Sequence, residues 1–212
     1  MRLYDSNIPS GNSYKVQLIL AQLRIEYELT TLDILRTPSE TREAEFLAKN
    51  PNGRIPTLEF DDGRLLPESN AILFYLADGT PFLSADRFER AQTLQWLFFE
   101  QYSHEPYVAV LKFWTYWGGL DKLRKDELEK LHVRSQAALQ VMEKHLESRS
   151  FFVADRYSIA DISLFAYTQS ADQIGLKTGP AVRTWLERVR KQPNYVPIKR
   201  DPLGKAPSQS AE

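Results

Sequence analysis

A chain of 212 residues with 42% apolar side chains is long enough to bury one large core or two small ones, in an ordinary globular composition. Twenty-seven basic residues against twenty-eight acidic ones leave a net charge of −1, which argues against a nucleic-acid or anionic-membrane binder and favours a small or neutral partner. With no cysteine, disulfides, thiolate metal sites and a protein-thiol nucleophile are excluded, so any thiol chemistry must use a thiol carried by a ligand.

The chain opens on the strand-like RLYD, with Arg2 inside it and no signal-peptide core. No apolar run approaches the ~20 residues needed to span a bilayer, so a cytosolic protein without membrane contact is expected. The polar loop SNIPSGNSYKV (6–16) leads into a helix whose Val16, Ile19, Leu20 and Leu23 recur at i, i+3, i+4 and i+7. EYELTTLD then reads as a strand, a polar helical stretch follows, and TLEFDDGRLL reads as a hairpin turning at Asp62-Gly63. PESNAI (67–72) starts a further helix. Residues 1–77 therefore run β-α-β-α-β-β-α. DGTPFLSA (78–85), without periodicity, reads as a linker.

Beyond it helical periods dominate. Ala91, Leu94 and Phe98 start one apolar stripe. Leu128, Leu131, Ser135, Ala138, Leu139, Met142 and Leu146 form another, and Val182, Trp185, Leu186 and Val189 a last one. The expected organisation is an α/β domain (1–77), the linker, and an all-helical domain (86–200). The tail 201–212, rich in proline and small polar residues, is expected to be loosely held.

Four stretches carry candidate chemistry. In NPNGRIPTLEF (50–60) a cis bond before Pro56 would turn the backbone of Ile55 toward an extended ligand, whereas from the dipeptide alone Pro56 simply opens an edge strand. In the first loop, Asn12 or Ser13 could serve as a plain helix cap. Alternatively a hydroxyl at the helix mouth could donate to an anion that the macrodipole also favours. In PESNAI, Ser69 either simply caps the helix or, with Glu68, completes a site in which the free N–H groups of the first turn bind an anion. Ser158 and Asp161 have the S-x-x-D spacing of a capping box, a structural role.

The aromatic run at 98–119 puts Tyr107, Val110, Trp114 and Trp117 on one stripe with Phe113 and Tyr116 beside it. It serves either as core or as the wall of an apolar pocket. His104 and Glu105 point different ways, His132 and His145 stand alone, and no metal site is expected.

NPNGRIPTL, PESNAI and SIADISLF, in this order and spacing, make the chain resemble the cytosolic glutathione S-transferase superfamily, of a serine-type bacterial class. The resemblance covers nearly the whole chain. It implies an N-terminal thioredoxin-like domain followed by an all-helical C-terminal domain, with glutathione as co-substrate. It further implies that Ile55, before a cis Pro56, pairs with the cysteinyl unit of glutathione. Glu68 and Ser69 hold the γ-glutamyl end, and Arg42 and Arg54 stand where basic or amide groups meet the glycine carboxylate. Ser10 faces the sulfur, with Asn12 and Ser13 as rivals, and Tyr107, Trp114 and Trp117 line the electrophile pocket. The implied activity is conjugation of glutathione to a small hydrophobic electrophile in a detoxifying homodimer. Alternatives are glutathione-dependent reduction of disulfides or peroxides and a non-catalytic binding module.

The magnitudes suffice. A thiol of pKa ~8.5 is only about 3% ionised at pH 7, and lowering it by about two units requires roughly 2.7 kcal/mol. A hydrogen bond to a charged acceptor contributes about 1.5–3 kcal/mol and a helix N-terminus up to ~1 more.

Overall fold

Strand β1 (Arg2–Ser6) is buried from Leu3 onward because it lies inside the sheet, parallel to β2 (Glu28–Leu32) and antiparallel to β3 (Thr57–Glu59). With β4 (Leu65–Pro67) the sheet order is β2-β1-β3-β4. The computed structural model describes residues 1–198. These fall into two units, Met1–Gly79 with the described segment from Pro193, and Thr80–Gln192. The tail expected to be loose lies outside the described residues.

Helix α1 (Gly11–Leu23) covers one face of the sheet. Its Val16 and Leu20 close a core with Leu3, Leu58 and Ile72, the last from helix α3 (Ser69–Ala77). Burial on α1 is wider than the single expected stripe, for Tyr14, Lys15, Leu18 and Gln22 are also buried, whereas Leu23 is only half-buried. One cause is the segment after Pro193, where the Val196 carbonyl accepts from the Tyr14 hydroxyl at 2.8 Å. Short helix α2 (Ala44–Leu47), preceded by a 3₁₀ turn at Glu40–Arg42, lies on the other face, where Phe46 meets Tyr4 edge-on at 5.8 Å.

The hairpin has a three-residue loop rather than the expected two. Phe60 N–H bonds to the Arg64 carbonyl, Gly63 N–H returns to the Phe60 carbonyl, and Gly63 takes φ +82, the left-handed position such a loop requires. β3 is also not an edge strand. Pro56 precedes its first paired residue, Thr57, so no ladder bond is lost.

The second unit is all-helical: α4 (Arg87–Phe99), α5 (Glu105–Phe113), α6 (Lys125–Leu146), α7 (Ile159–Thr168) and α8 (Pro180–Arg190). The architecture is thus a thioredoxin-like unit followed in sequence by a helical one. On α4 the Ala91, Leu94, Phe98 stripe is not the buried one. Ala91 and Phe98 are exposed, and Thr93, Trp96 and Leu97 face inward, with Glu100 and His104 continuing that face. Thr93 fits because its hydroxyl bonds back to the Glu89 carbonyl at 2.9 Å, so a polar residue is buried with its demand met. The other two stripes meet the core, with only Leu128 and Leu131 half-buried. The linker is not loose beyond Thr80, since Leu83 is buried and the Phe82 carbonyl accepts from Ile159 N–H.

Around Trp185 the rings of Phe152 and Phe165 pack edge-on. Ser158 and Asp161 form a capping box at the start of α7. Asp161, wholly buried, accepts from Ser158 N–H and Oγ, from Phe152 N–H and from Trp185 Nε1 at 2.9–3.2 Å. Burial pushes its carboxyl up to about 7 against those donors.

Candidate active site

The register of the sheet brings distant segments to one edge. Tyr4 pairs with Thr57, and Thr57 with Pro67. One step beyond those residues, β1 leaves toward the Ser10 loop, Ile55-Pro56 enters β3, and β4 passes into Glu68 and Ser69. The start of α1 and the start of α3 therefore converge on the same end of the sheet, two sets of backbone N–H groups with the positive ends of two helix dipoles.

Ser10 is the cap of α1, at φ −93 and ψ 125, and its Oγ accepts from Ser13 N–H at 3.3 Å. Among the described residues no acceptor takes its hydroxyl hydrogen, and the residue is only half-buried. Neither Asn12 nor Ser13 is the cap. Ser13 is fully buried, its hydroxyl enclosed and without a hydrogen-bond partner among the described residues.

Asn12 turns toward α3. Its Oδ1 accepts from Lys15 Nζ at 2.9 Å and from Ser69 Oγ at 3.3 Å, and Lys15 Nζ lies 3.4 Å from Ser69 Oγ. Ser69 is thus not the cap of its helix, as expected, but its first residue. Glu68 takes the cap position without a side-chain cap bond, because its backbone sits at φ 72, ψ 109 and carries the carboxylate outward. For a non-glycine residue this conformation costs of order 1–3 kcal/mol and is typical of a functional position.

The third wall is the loop 50–56. The Ile55-Pro56 bond is cis, Pro56 is buried and Ile55 is half-buried at the rim. Buried Asn50 ties the loop, donating from Nδ2 to the Arg54 carbonyl at 2.7 Å and to Thr57 Oγ1 at 3.2 Å. Arg42 reaches the same loop, its Nη1 donating to the Asn52 carbonyl at 3.0 Å. Gly53, at φ +60, admits that contact, because a Cβ there would stand 2.7 Å from both Arg42 Nη1 and the Thr41 carbonyl. Arg54 is exposed beside it. Lys15 and Asn50 belong to this edge and escaped the sequence reading. The signal for Lys15 was a polar residue between Tyr14 and Val16 on a helix with an apolar face, whereas Asn50, between Lys49 and Pro51, offered none.

A cavity of about 160 Å³ lies behind the Ser10 loop, reaching Asp5, Asn7, Tyr14, Gln17 and Ile198. The Asp5 carboxylate there already accepts from Gln17 Nε2 and Ser6 N–H.

The aromatic residues expected to line a pocket lie in the helical unit. After Phe113 the helix widens into a π turn, Trp114–Gly118, so the period that joined Tyr107, Val110, Trp114 and Trp117 into one stripe is interrupted. Among the described residues, ring contacts link Phe113 to Trp114 and Trp117, and Tyr116 to Trp117. None involves Tyr107, and Tyr107, Trp114 and Trp117 are each half-buried. No cluster of metal-ligating side chains occurs among the described residues, and no helix there is long and apolar enough to cross a membrane.

Comparison with known proteins agrees with the two-unit fold. Residues 9–78 match the glutathione S-transferase N-terminal domain model, and residues 94–193 the C-terminal one. The chain is similar to disulfide-bond oxidoreductase YfcG of Escherichia coli, at 32% identity over 87% of this chain and 88% of that protein. Among solved structures, a glutathione S-transferase from Pseudomonas fluorescens is 48% identical with TM-score 0.88, covering 92% of this chain and 97% of its own. A glutathione transferase from Pseudomonas putida, solved with one glutathione disulfide bound per subunit, is 27% identical with TM-score 0.77, covering 91% and 87%.

Proposed function

The chain belongs to the glutathione S-transferase family, and on that premise we propose that it is a glutathione transferase that conjugates the thiolate of glutathione to a small hydrophobic electrophile. The convergence of the α1 and α3 N-termini, with Ser10 at one and Glu68 and Ser69 at the other, carries this reading. A γ-glutamyl head group bears one charge of each sign on a single carbon. Its ammonium goes to the Glu68 carboxylate and its carboxylate to Ser69 and the first turn of α3. The peptide backbone of the cysteinyl unit pairs with Ile55, and Arg42 and Arg54 attract the glycine carboxylate. Ser10 donates its hydroxyl hydrogen to the sulfur, and Asn12 orients the head group through Ser69.

Ser10 acts as a donor to the thiolate, not as a nucleophile. The thiol proton leaves to solvent, sulfur attacks the electrophilic carbon, and a carbon–sulfur bond forms as the leaving group departs with its electron pair. The acceptor lies against the half-buried aromatics Tyr107, Trp114 and Trp117. A cytosolic homodimer completes the proposal, and sedimentation at micromolar concentration tests the assembly.

A second reading is favoured by Asn12 beside Ser10 and by the similarity to YfcG. In it the glutathione thiolate attacks the glutathione sulfur of a mixed disulfide, forming glutathione disulfide and releasing the substrate thiolate, so the electrons balance without another reductant. Purified protein, glutathione and three acceptors separate the two: an aryl halide, a glutathionyl mixed disulfide and a hydroperoxide. Turnover of the aryl halide supports conjugation, and turnover of the mixed disulfide alone supports reduction. No turnover, with no glutathione binding by calorimetry, refutes both.

A further inference from the structure

Lys15 is the one lysine among the described residues with no exposed surface at all, and it points to the head-group end of the site rather than to solvent. A lysine is rarely interred in the face of a helix, because an ammonium loses its hydration there unless polar groups replace it. On α1 it sits between the apolar Tyr14 and Val16, and its Nζ reaches across to α3, donating to Asn12 Oδ1 at 2.9 Å and lying 3.4 Å from Ser69 Oγ. Both groups belong to the edge where the two helix N-termini converge.

The ammonium does two things there. It occupies an acceptor position on Ser69 Oγ, so that hydroxyl meets a ligand only as a donor, by turning its hydrogen from the long 3.3 Å bond to Asn12 Oδ1 toward the ligand's acceptor. It also adds a full positive charge to the partial charges of the helix start, in an environment where water screens little. A carboxylate accepting a hydrogen bond of ~2.7 Å from Ser69 would lie within about 6 Å of Nζ.

From this geometry we infer that Lys15 is a positioning and specificity residue for the α-carboxylate of the γ-glutamyl unit. It selects ligands that present an anion at the start of α3, and it does so through Ser69 and by its charge rather than by direct contact. The inference rests on the reading of this edge as the glutathione site. It deepens that reading by making an interior cation, and not only the exposed Glu68 and the backbone, the determinant of which head group is accepted.

The test compares two ligands: glutathione, and its analogue in which the γ-glutamyl α-carboxylate is a neutral carboxamide. Lys15→Gln keeps a polar side chain without the charge, and Lys15→Arg restores the charge. By calorimetry, Lys15→Gln is expected to bind glutathione at least tenfold more weakly than the parent and the carboxamide within about threefold of the parent. Lys15→Arg should recover most of the glutathione affinity. A merely structural lysine would weaken both ligands equally, and that result, or an unchanged glutathione affinity, overturns the inference.

A measurement on the unsubstituted protein covers the case in which Lys15→Gln does not fold. With ¹⁵N-lysine labelling, the Lys15 Nζ resonance should shift on adding glutathione and stay in place on adding the carboxamide at equal occupancy. An equal shift with both ligands, or none with either, counts against the inference. Failure of the unsubstituted protein to bind glutathione would instead refute the site reading on which it depends.

Discussion

Replacing Ser10 by alanine removes two things whose magnitudes can be separated. The first is the cap of α1: Oγ accepts from Ser13 N–H at 3.3 Å, a long bond, so its loss should cost about 1 kcal/mol of folding stability. The second is the hydroxyl hydrogen offered to the ligand sulfur. A hydrogen bond to a charged acceptor contributes about 1.5–3 kcal/mol, and at ~1.4 kcal/mol per pH unit its removal should raise the thiol titration midpoint of bound glutathione by about 1–2 units. If the intact site holds the thiol near pKa ~6.5, about three quarters is ionised at pH 7, and a rise of ~1.5 units leaves about a tenth. Conjugation at pH 7 should then fall roughly eightfold with glutathione affinity little changed, and much of the loss should return at pH 9. Ultraviolet absorbance of the thiolate, titrated in the complex with and without Ser10→Ala, measures the midpoint directly. A midpoint that moves by less than about 0.3 unit would refute the donor role and pass it to Asn12 or to the backbone at the start of α1.

Three further outcomes follow from the same geometry. Glu68→Gly should raise folding stability by about 1 kcal/mol, because glycine accepts the φ of 72 without strain, while glutathione affinity falls at least tenfold with loss of the carboxylate; paired denaturation and calorimetry check the opposed signs. Asn50→Ala leaves the Arg54 carbonyl and Thr57 hydroxyl without their buried donor, so urea unfolding should show a loss of about 2–3 kcal/mol. Asp161, held protonated in the folded chain up to about pH 7 but ionised in the unfolded chain above about pH 4, releases a proton on unfolding between those limits. Its contribution to stability therefore falls as pH rises through that window, by up to about 1.4 kcal/mol per unit. Relative to Asp161→Asn, the parent should lose about 2 kcal/mol between pH 5 and 7, and parallel pH profiles would contradict this.

The change from strands to helices was legible because it rests on local rules: DG marks a hairpin and Ser-x-x-Asp a capping box. The ligand-facing role of the Ile55-Pro56 loop came from the family resemblance, since the dipeptide alone reads as an edge strand. What escaped was set by tertiary packing. On α4, apolarity favoured Phe98, but Thr93 could satisfy its own hydroxyl and took the buried face, leaving Phe98 two thirds exposed. Along the aromatic run, a constant helical period was assumed across Trp114–Gly118, where the chain takes an extra residue per turn, so side chains past Phe113 are rotated off the expected stripe. Ser69 looked like a cap because serine prefers that position. Glu68 holds it instead, since Ser69 Oγ is engaged by Lys15 and Asn12 from a helix more than fifty residues earlier.

The residues that break local rules are of two kinds, and their partners tell them apart. Asp161 is a buried carboxyl group whose two oxygens meet four partners, contributed by the α7 cap, the preceding loop and Trp185 of α8, so its hydrogen-bonding capacity is consumed by the fold. Glu68 breaks a backbone rule yet makes no cap bond with its side chain, and Ser10 accepts as a cap while its hydrogen stays available. Lys15 breaks a burial rule, and its Nζ donates to Asn12 at the same edge. A polar group whose bonding is closed by the protein accounts for stability. On the proposed reading, a polar group held at a structural cost with capacity left over serves binding, and in the N-terminal unit Ser10 and Glu68 stand at the same end of one sheet. In the helical unit the same test marks the half-buried Trp117, whose buried indole N–H has no hydrogen-bond partner among the described residues, but also the enclosed hydroxyl of Ser135 on α6, so lack of a partner alone does not single out the aromatic cluster there.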